Sequence, residues 1–544
     1  MKKTVITIIL SIAAVAGYAQ NANDAYLFSE NQYEGTARTM AMGNAFTALG
    51  GDLGSIGINP AGSAVAGYSQ LTITPSLTYS INTAQGAPLP LTDSRPTYFE
   101  NKATSRDINT GLTNLGLTFV WETGRESGLK NVTLGFVTNQ TNSWNGEINT
   151  NGTNVSTSFM GAVANTASLN GYLGSELGAE DAFDFMPWRE VAAFQSGMIS
   201  NFGGFDDFFV GASEAIEQDP ETGAYNIYLA GPIKQQFNRN VNGGKRDFVI
   251  NIGADFSDFI YIGANLGLTT ISYNEDWYLT EEAVNPNDFA IDLDNGESMN
   301  FQKMKYSYGY MAEGSGMYGK FGVIITPGYG LRIGAAIQTP TLTTMEEDWT
   351  EDAETEFSTG KYTSYSPYGN AHYTFSSPMR ANFGLAYTYG SFGLISVDYE
   401  IADYSQMRYE TANADRTYFE EVNMDILNRY GVSHMLRAGI EVKPLSELAV
   451  RAGYSLTTSG EKFIDWAGTP IKNQNVHTAS FGLGYSSKGS FFADAAVQTR
   501  FLSNEYFMPY EDYTDETGAI LEYAPEIVNH RSLWKALLTI GWRF

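Results

Sequence analysis

The stretch FVINIGADFSDFIYIGANLGL, residues 248–268, decides the fold. Apolar side chains fall on every second position, at Phe248, Ile250, Ile252, Ala254 and Phe256, and again at Ile262, Ala264, Leu266 and Leu268. That is the period of a strand with two unlike faces, and Ser257-Asp258 between the runs is long enough only for a tight turn. The same alternation returns along the chain at Leu115, Leu117 and Phe119; at Leu331, Ile333 and Ile337; at Phe383 and Leu385; at Leu448 and Val450; and at Phe481 and Leu483. The intervening positions are small, polar or charged, among them Asp255, Arg332, Arg380, Asp398, Glu400, Arg437, Glu441, Arg451 and Asp494. One face of each strand thus suits hydrocarbon and the other a polar interior.

The connections alternate between short ones, such as Ser257-Asp258, Gly390 and Ser487-Lys488-Gly489, and long ones near 81–110, 141–244, 274–302, 341–375, 406–433, 458–475 and 504–531. Tight turns at one end and long loops at the other are the asymmetry of outer-membrane barrels. Taking 70–80 as the first strand and 303–326 as one long strand gives fourteen. The even number predicts both chain ends on the periplasmic side. The final run LWKALLTIGWRF closes on Phe544 and resembles the aromatic terminal signal of such barrels, read by the barrel assembly machinery.

The beginning of the chain sets the compartment. Lys2 and Lys3, an apolar run from Val5 to Ala16 and Gly17-Tyr18-Ala19 form the pattern of a cleavable signal peptide, residues 1–19. The apolar run is too short to cross a bilayer, which takes roughly 20 residues of helix. The net charge of −28 becomes −30 once Lys2 and Lys3 are lost, which repels nucleic acid. With no cysteine there is no disulfide, thiolate metal site or lipidated amino terminus. No linker divides the chain, so an all-β, 14-stranded antiparallel transmembrane barrel over 67–544 is expected as one unit.

A fourteen-stranded barrel has a lumen wide enough to need an occupant. The segment 20–66, including YEGTARTMAMGNAFTALGGDLGSIGINPAG (33–62), is weakly charged and precedes the first strand. It is expected to plug the lumen as an N-terminal hatch entering from the periplasm, with a helix over 38–49 ended by Gly50-Gly51 and a tight turn at Asn59-Pro60. GTARTMAMGNAFTALGGDLGSIGINPAG resembles the amino-terminal hatch of the FadL/TodX family of outer-membrane transport proteins, in the form found in Bacteroidetes-type members, and IQTPT (337–341) extends the resemblance.

The resemblance implies passive diffusion of hydrophobic small molecules, such as long-chain fatty acids or aromatic compounds, through a hatch-gated barrel with a lateral exit at a kinked third strand. It carries Asn59, Pro60 and Ala61 over as the hatch motif and makes Gly135 the candidate kink. Met40, Met42, Phe46 and Leu49 are the expected contacts of an apolar pocket. The expected surroundings are outer-membrane lipid and lipopolysaccharide, around a monomer. A barrel that has lost transport and serves as a docking or shuttle partner in secretion or assembly machinery is the alternative.

No enzyme and no cofactor are expected. No Ser/His pair stands close enough for nucleophilic chemistry, and the glycine runs alternate with strand residues instead of opening helices onto phosphate. His372, His434, His477 and His530 fall near one rim, where neighbours on alternate strands sit too far apart to share a metal, and read as interfacial side chains. The acidic run MEEDWTEDAETE (345–356) reads as solvated loop charge. Within 141–244, Phe185, Trp188, Val191, Ala192, Phe194 and Met198 take helical spacing, the mark of an external amphipathic helix that packs on the rim or gathers ligand.

Overall fold

The computed structural model describes residues 21–86, 98–221, 223, 225–293, 296–410, 416–462, 475–501 and 504–544. The expected signal peptide lies outside them. The described residues close a barrel of fourteen antiparallel strands. In chain order these are β1 (Gln70–Gly86), β2 (Ala103–Glu122), β3 (Leu129–Ser143, continued by Gly146–Asn154), β4 (Ile233–Phe256), β5 (Ile260–Ala283), β6 (Ser298–Gly328) and β7 (Leu331–Gln338, continued by Leu342–Phe357). They are followed by β8 (Gly369–Ser376, then Arg380–Tyr389), β9 (Gly393–Asp403, then Arg408–Glu410), β10 (Val432–Leu445), β11 (Leu448–Thr457), β12 (Val476–Ser486), β13 (Phe491–Phe501) and β14 (Ile527–Arg543). Each pairs with its neighbours in sequence, and β14 closes on β1 from Gln70↔Arg543 to Gly86↔Ile527.

The outward positions of the strands are large, apolar and exposed: Ile252 is 56% exposed, Phe321 58% and Leu538 45%. Their inward neighbours Asn251, Lys320 and Thr539 are buried. Burying one such apolar side chain stabilises a protein by about 1.5–3 kcal/mol. Leaving dozens in water would forfeit more than the ~5–15 kcal/mol that separates folded from unfolded domains, so this surface belongs in hydrocarbon. No helix among the described residues is long and apolar enough to cross a membrane; the strands do the crossing.

Two prolines interrupt strands where the missing N–H removes a ladder bond. Pro340 divides β7 and Pro378 divides β8. The acidic run 345–356 is not loop but the outer part of β7, paired with β6. With β4, β5 and β6, of 24, 24 and 31 residues, it carries the wall well beyond the ~9–11 residues that span a bilayer. These projecting strands hold a cap built from the long 141–244 connection.

The plug has four short pieces: helix α1 (Ala22–Ser29), helix α2 (Ala37–Ala41) and 3₁₀ turns Leu53–Gly57 and Pro60–Val65, with turns at 42–49 between the second helix and the first 3₁₀ turn. The expected helix over 38–49 is only five residues long. Gly43 and Asn44 take φ of 62° and 61°, left-handed values that end a helix. The entry direction also differs from expectation. The carbonyl of Asn21 accepts from the Tyr409 hydroxyl at 2.9 Å, and the Asn23 side chain from Tyr430 at 3.0 Å, both on the loop-end part of the wall. The chain therefore descends the lumen from the loop end to the turn end before β1 begins. Aromatic burial explains this: Phe28 packs edge-on against Trp144 and Tyr273, and Tyr26 packs edge-on against Tyr404 and stacks on Tyr430.

In the cap, helix α3 (Phe159–Leu169) and helix α4 (Trp188–Gln195) share one apolar core with inward residues of the projecting wall, including Phe237, Leu279, Tyr306 and Phe357. Helix α4 buries Val191, Ala192 and Ala193, and Trp188 packs on Trp349 at 5.7 Å. Of the two roles expected for this amphipathic stretch, packing on the rim is the one its apolar face performs. A further helix, α5 (Arg416–Arg429), lies beside β9.

Two measurements check this arrangement. A Cβ at Gly453 would collide with the backbone of Met42 and Gly43. Gly453→Val is therefore expected to expose the plug to protease while the barrel keeps its fast-migrating, heat-modifiable form on gels; unchanged protection contradicts the tight fit. In the cap, burial holds the Glu190 carboxyl up at about 7, against the pull of Arg189 and with the repulsion of Glu351 and Glu511, from an ordinary 4.5. A raised carboxyl gives stability that is full below the unfolded value and is lost as pH rises through the folded one. Protection of the Trp188–Gln195 amides, corrected for the intrinsic pH dependence of exchange, should accordingly fall between about pH 4.5 and 7, and Glu190→Gln should remove that fall.

Candidate functional site: the plug, the chamber above it and a window in the wall

The lower plug fits because the wall presents glycine to it. Gly263 and Gly322 face Asn59, Pro60 and Ala61; Gly334 faces Thr47 and Ala48; Gly439 and Gly453 face Met42 and Gly43; Gly482 faces Ala41. Side chains at these points would hold the backbones apart. Asn59 fastens the turn: its amide nitrogen donates to the Thr47 carbonyl at 2.6 Å and to Val323 and Ala335 of the wall at 3.2 and 3.4 Å. Its oxygen accepts from the Ala61 amide at 3.1 Å and so caps the Pro60–Val65 turn. The Pro60 carbonyl accepts from Asn251 at 3.0 Å. The Asn59-Pro60-Ala61 motif is thus a fastening between plug and wall.

Met40, Met42, Phe46 and Leu49 do not line a pocket above the plug. Met42, Phe46 and Leu49 pack with Ala48, Ile58 and Ala386, and Met40 packs with Ala37, Ala41, Ala496 and Leu537. All four are at most 3% exposed. Apolar side chains in this lumen find their burial against the wall, so the four sit at the plug–wall contact and not on the lining of the chamber above it.

The space above the plug is a chamber of about 250 Å³ between residues 26–33 and the inner faces of β8–β14. Its lining mixes apolar side chains with a cluster of charged ones, in place of the purely apolar pocket the resemblance implies. Four arginines, Arg380, Arg437, Arg500 and Arg531, face three glutamates, Glu30, Glu400 and Glu505. Glu400 is shared: it accepts from Arg380 at 3.2 Å, from Asn382 at 2.7 Å and from Arg437. Arg437 also lies 4.9 Å from the centre of the Tyr33 ring. Among the buried donors on this lining, Arg437 Nη1, Arg531 Nε, Trp144 Nε1 and Asn142 Nδ2 have no protein acceptor. In a chain of charge −28, the chamber carries a cationic surplus and spare donors, which suits a molecule bearing an anionic group.

Beside the chamber the wall has a window. β2 pairs with β1 from Ala84↔Ala103 to Gln70↔Thr118, but with β3 only from Asn114↔Asn139 to Glu122↔Asn131. The break starts at Pro75 of β1, which has no N–H. The β1–β2 register shifts there and leaves Thr113 as an extra residue on β2. β3 then turns inward: its register with β4 shifts at Gln140/Asn142, and the Asn145 carbonyl accepts from Arg531 of β14 at 2.6 Å. A bridge between Asn101 and Asn151 bounds the window above. Gly135, the expected kink, instead lies in unbroken pairing with Thr118 and Asn251. The inward turn comes at 140–146, because the bulge opposite Pro75, and not a glycine, ends the ladder.

A smaller cavity shares Ser143, Arg500, Arg531 and Leu533 with the chamber and is lined by Asp107 and Asn109 of β2. Chamber and window are therefore neighbours. The rim histidines stand elsewhere, on the outward face: His434 is hydrogen-bonded to Tyr399 and His477 to Tyr454, each at 2.7 Å. Among the described residues no group of three or more His, Asp or Glu is placed to hold a metal.

Replacing Asn59 with alanine strands the Thr47 carbonyl and the Ala61 amide, an expected loss of about 1–3 kcal/mol in the plug's hold on the wall. Limited proteolysis across a urea series should show the segment 44–66 released at lower urea in Asn59→Ala. Release at the parental concentration would contradict the fastening role.

The sequence matches no protein-family model and no curated protein. Among solved structures, the chain is similar to the toluene transporter TodX of Pseudomonas putida, at 12% identity over 94% of this chain and 99% of that one, with a TM-score of 0.48. It is similar also to a FadL homologue of Pseudomonas aeruginosa, at 10% identity over 94% and 98%, TM-score 0.49. The Ralstonia pickettii toluene transporter TbuX follows at 12% identity over 94% and 99%, TM-score 0.43. The barrel of this chain rests on its own hydrogen-bonded ladders, independent of these likenesses.

Proposed function

We propose that this protein is a channel of the bacterial outer membrane that takes up an amphipathic, largely hydrophobic small molecule of the fatty-acid kind. The molecule moves by passive diffusion into the chamber above the plug and leaves sideways between β2 and β3. The observation that carries the reading is the adjacency of chamber and window. The plug closes the way down at the glycine contacts, so the window is the way out. An alkyl chain gains roughly 0.8 kcal/mol per CH₂ on entering hydrocarbon, enough to drive lateral release without an energy source. The cationic surplus favours an anionic headgroup over a pure hydrocarbon. A monomer exported by residues 1–19, inserted by the barrel assembly machinery and surrounded by lipid and lipopolysaccharide belongs to the same reading, as do the absence of catalysis and of a cofactor.

The second reading is a docking or shuttle role in envelope machinery. It is favoured by the cap core, which runs without a break from α3 and α4 onto the inward face of the projecting strands.

Because the chain has no cysteine, a single engineered pair can be cross-linked without side reactions. A Cβ on Gly111 would lie 3.8 Å from the Gln140 side chain, across the lower edge of the window. In Gly111→Cys/Gln140→Cys, a short thiol cross-linker is expected to stop uptake of labelled fatty acid into cells, while the uncross-linked variant takes it up normally. Undiminished uptake after complete cross-linking would remove lateral exit, and stable co-purification with envelope proteins would then favour docking.

A further inference from the structure

One cation spans the lower edge of the window from the outside. Arg246 of β4 follows the inward-facing Lys245, whose ammonium donates to the Phe28 and Glu30 carbonyls of the plug, and precedes the inward-facing Asp247. Arg246 itself therefore leaves the strand on the same face as Phe248, the membrane side. Its guanidinium crosses the outer surface of β3, donating to the Thr138 hydroxyl at 3.3 Å, and reaches β2, where it donates to the Leu112 carbonyl at 2.6 Å. Leu112 stands beside the bulge at Thr113, on the edge that β3 has just left. One side chain thus replaces a missing rung of the ladder, tying together three strands.

The inner side of the window is cationic too. Arg500 and Arg531 line both the chamber and the smaller cavity that meets the window, with Lys535 beside them; Glu34 holds Lys535 and Asp107 is the other carboxylate there. A guanidinium stands at each stage of the path: within the chamber, at the inner side of the window and on its outer edge.

We propose that Arg246 is an anion-operated latch on the window, a deepening of the lateral-exit reading on which it rests. The Leu112 carbonyl is a neutral acceptor. A carboxylate or similar anionic headgroup arriving from inside offers the same guanidinium a charge-assisted, two-pronged partner, and hydrogen bonds of that kind are stronger than those to a neutral carbonyl. As the headgroup takes Arg246, Leu112 is released, the edge of β2 is freed from β3, and the alkyl chain passes into the membrane. The latch therefore selects anionic amphiphiles over uncharged ones of the same chain length. Lysine keeps the charge and loses the fork, so Arg246→Lys retains part of this selection and Arg246→Gln none.

The test uses full-length protein in lipid nanodiscs, with spin labels on Gly111→Cys and Gln140→Cys and their separation read by electron paramagnetic resonance. With Arg246 present, laurate is expected to shift the distances to longer values and dodecanol to leave them unchanged. In Arg246→Gln the longer distances are expected without ligand, with no further response to laurate. In uptake assays the preference for laurate over dodecanol should fall roughly tenfold in Arg246→Gln, the scale of one lost charged hydrogen bond. Identical distances with and without Arg246, or an equal response to dodecanol, would overturn the latch. If the labels respond as expected while cross-linking the window leaves uptake intact, the latch stands and the lateral-exit reading falls.

Discussion

Hydrocarbon offers a peptide group nothing to bond to, and the structure depends on that constraint. Every N–H and C=O at membrane depth must find its partner inside the protein, which only a closed set of ladders achieves for strands. The fourteen strands obey it, and the exceptions are instructive. Where Pro340 and Pro378 break β7 and β8, the Thr341 amide donates to the Ser377 hydroxyl and the Ser377 amide to the Thr341 carbonyl, each at 3.0 Å, and the Gly319 amide donates to the Thr339 hydroxyl at 3.0 Å. Where Pro75 ends the pairing of β2 with β3, an arginine supplies the missing donor. A proline in a barrel strand is therefore a local opening, and what substitutes for its ladder bond decides whether the opening is structural or usable.

Inside the barrel the problem is reversed, since a polar wall must hold a polar backbone. The wall meets it with cations that cap plug carbonyls: Lys245 on Phe28 and Glu30, Lys320 on Gly57 at 2.8 Å, Arg332 on Leu49 at 2.7 Å and Arg380 on Ser29 at 2.8 Å. Charged donors to backbone oxygens are stronger than neutral ones and do not depend on plug side chains. Arg38 adds the converse contact, pairing with Glu441, which also holds Arg451 at 2.6 Å. The plug is thus bound mainly through its main chain, and the glycines of the wall bring that main chain within reach.

Much of the architecture was legible because alternation has a single cause. Phe248 through Leu268 reads as a membrane hairpin, since period two with an apolar face has few other uses, and the even strand count follows from the turns. The rim histidines read as interfacial side chains, whereas the tyrosine partners of His434 and His477 appear only in the structure. Three other things were not legible. Gly43 and Asn44 end α2 through left-handed backbone that residue spacing does not reveal. Met40, Met42, Phe46 and Leu49 are apolar, but whether an apolar side chain touches ligand or wall depends on packing across hundreds of residues. The window was sought at Gly135 on β3, whereas its cause lies two strands away at Pro75, a signal present in the sequence whose meaning needs the register of β1 against β2. The cationic chamber is assembled from β8, β10, β13 and β14 and has no local motif.

Among the described residues, β2 keeps its pairing with β1 but loses β3 beyond Asn114, which leaves one long unpaired edge in the wall. Hydrogen exchange measured amide by amide in lipid nanodiscs tests this directly. Strong protection is expected along the membrane portions of all fourteen strands, with fast exchange confined there to 107–113 of β2 and 140–143 of β3. Uniform protection across that edge, or equally fast exchange at several other strand pairs, would contradict it.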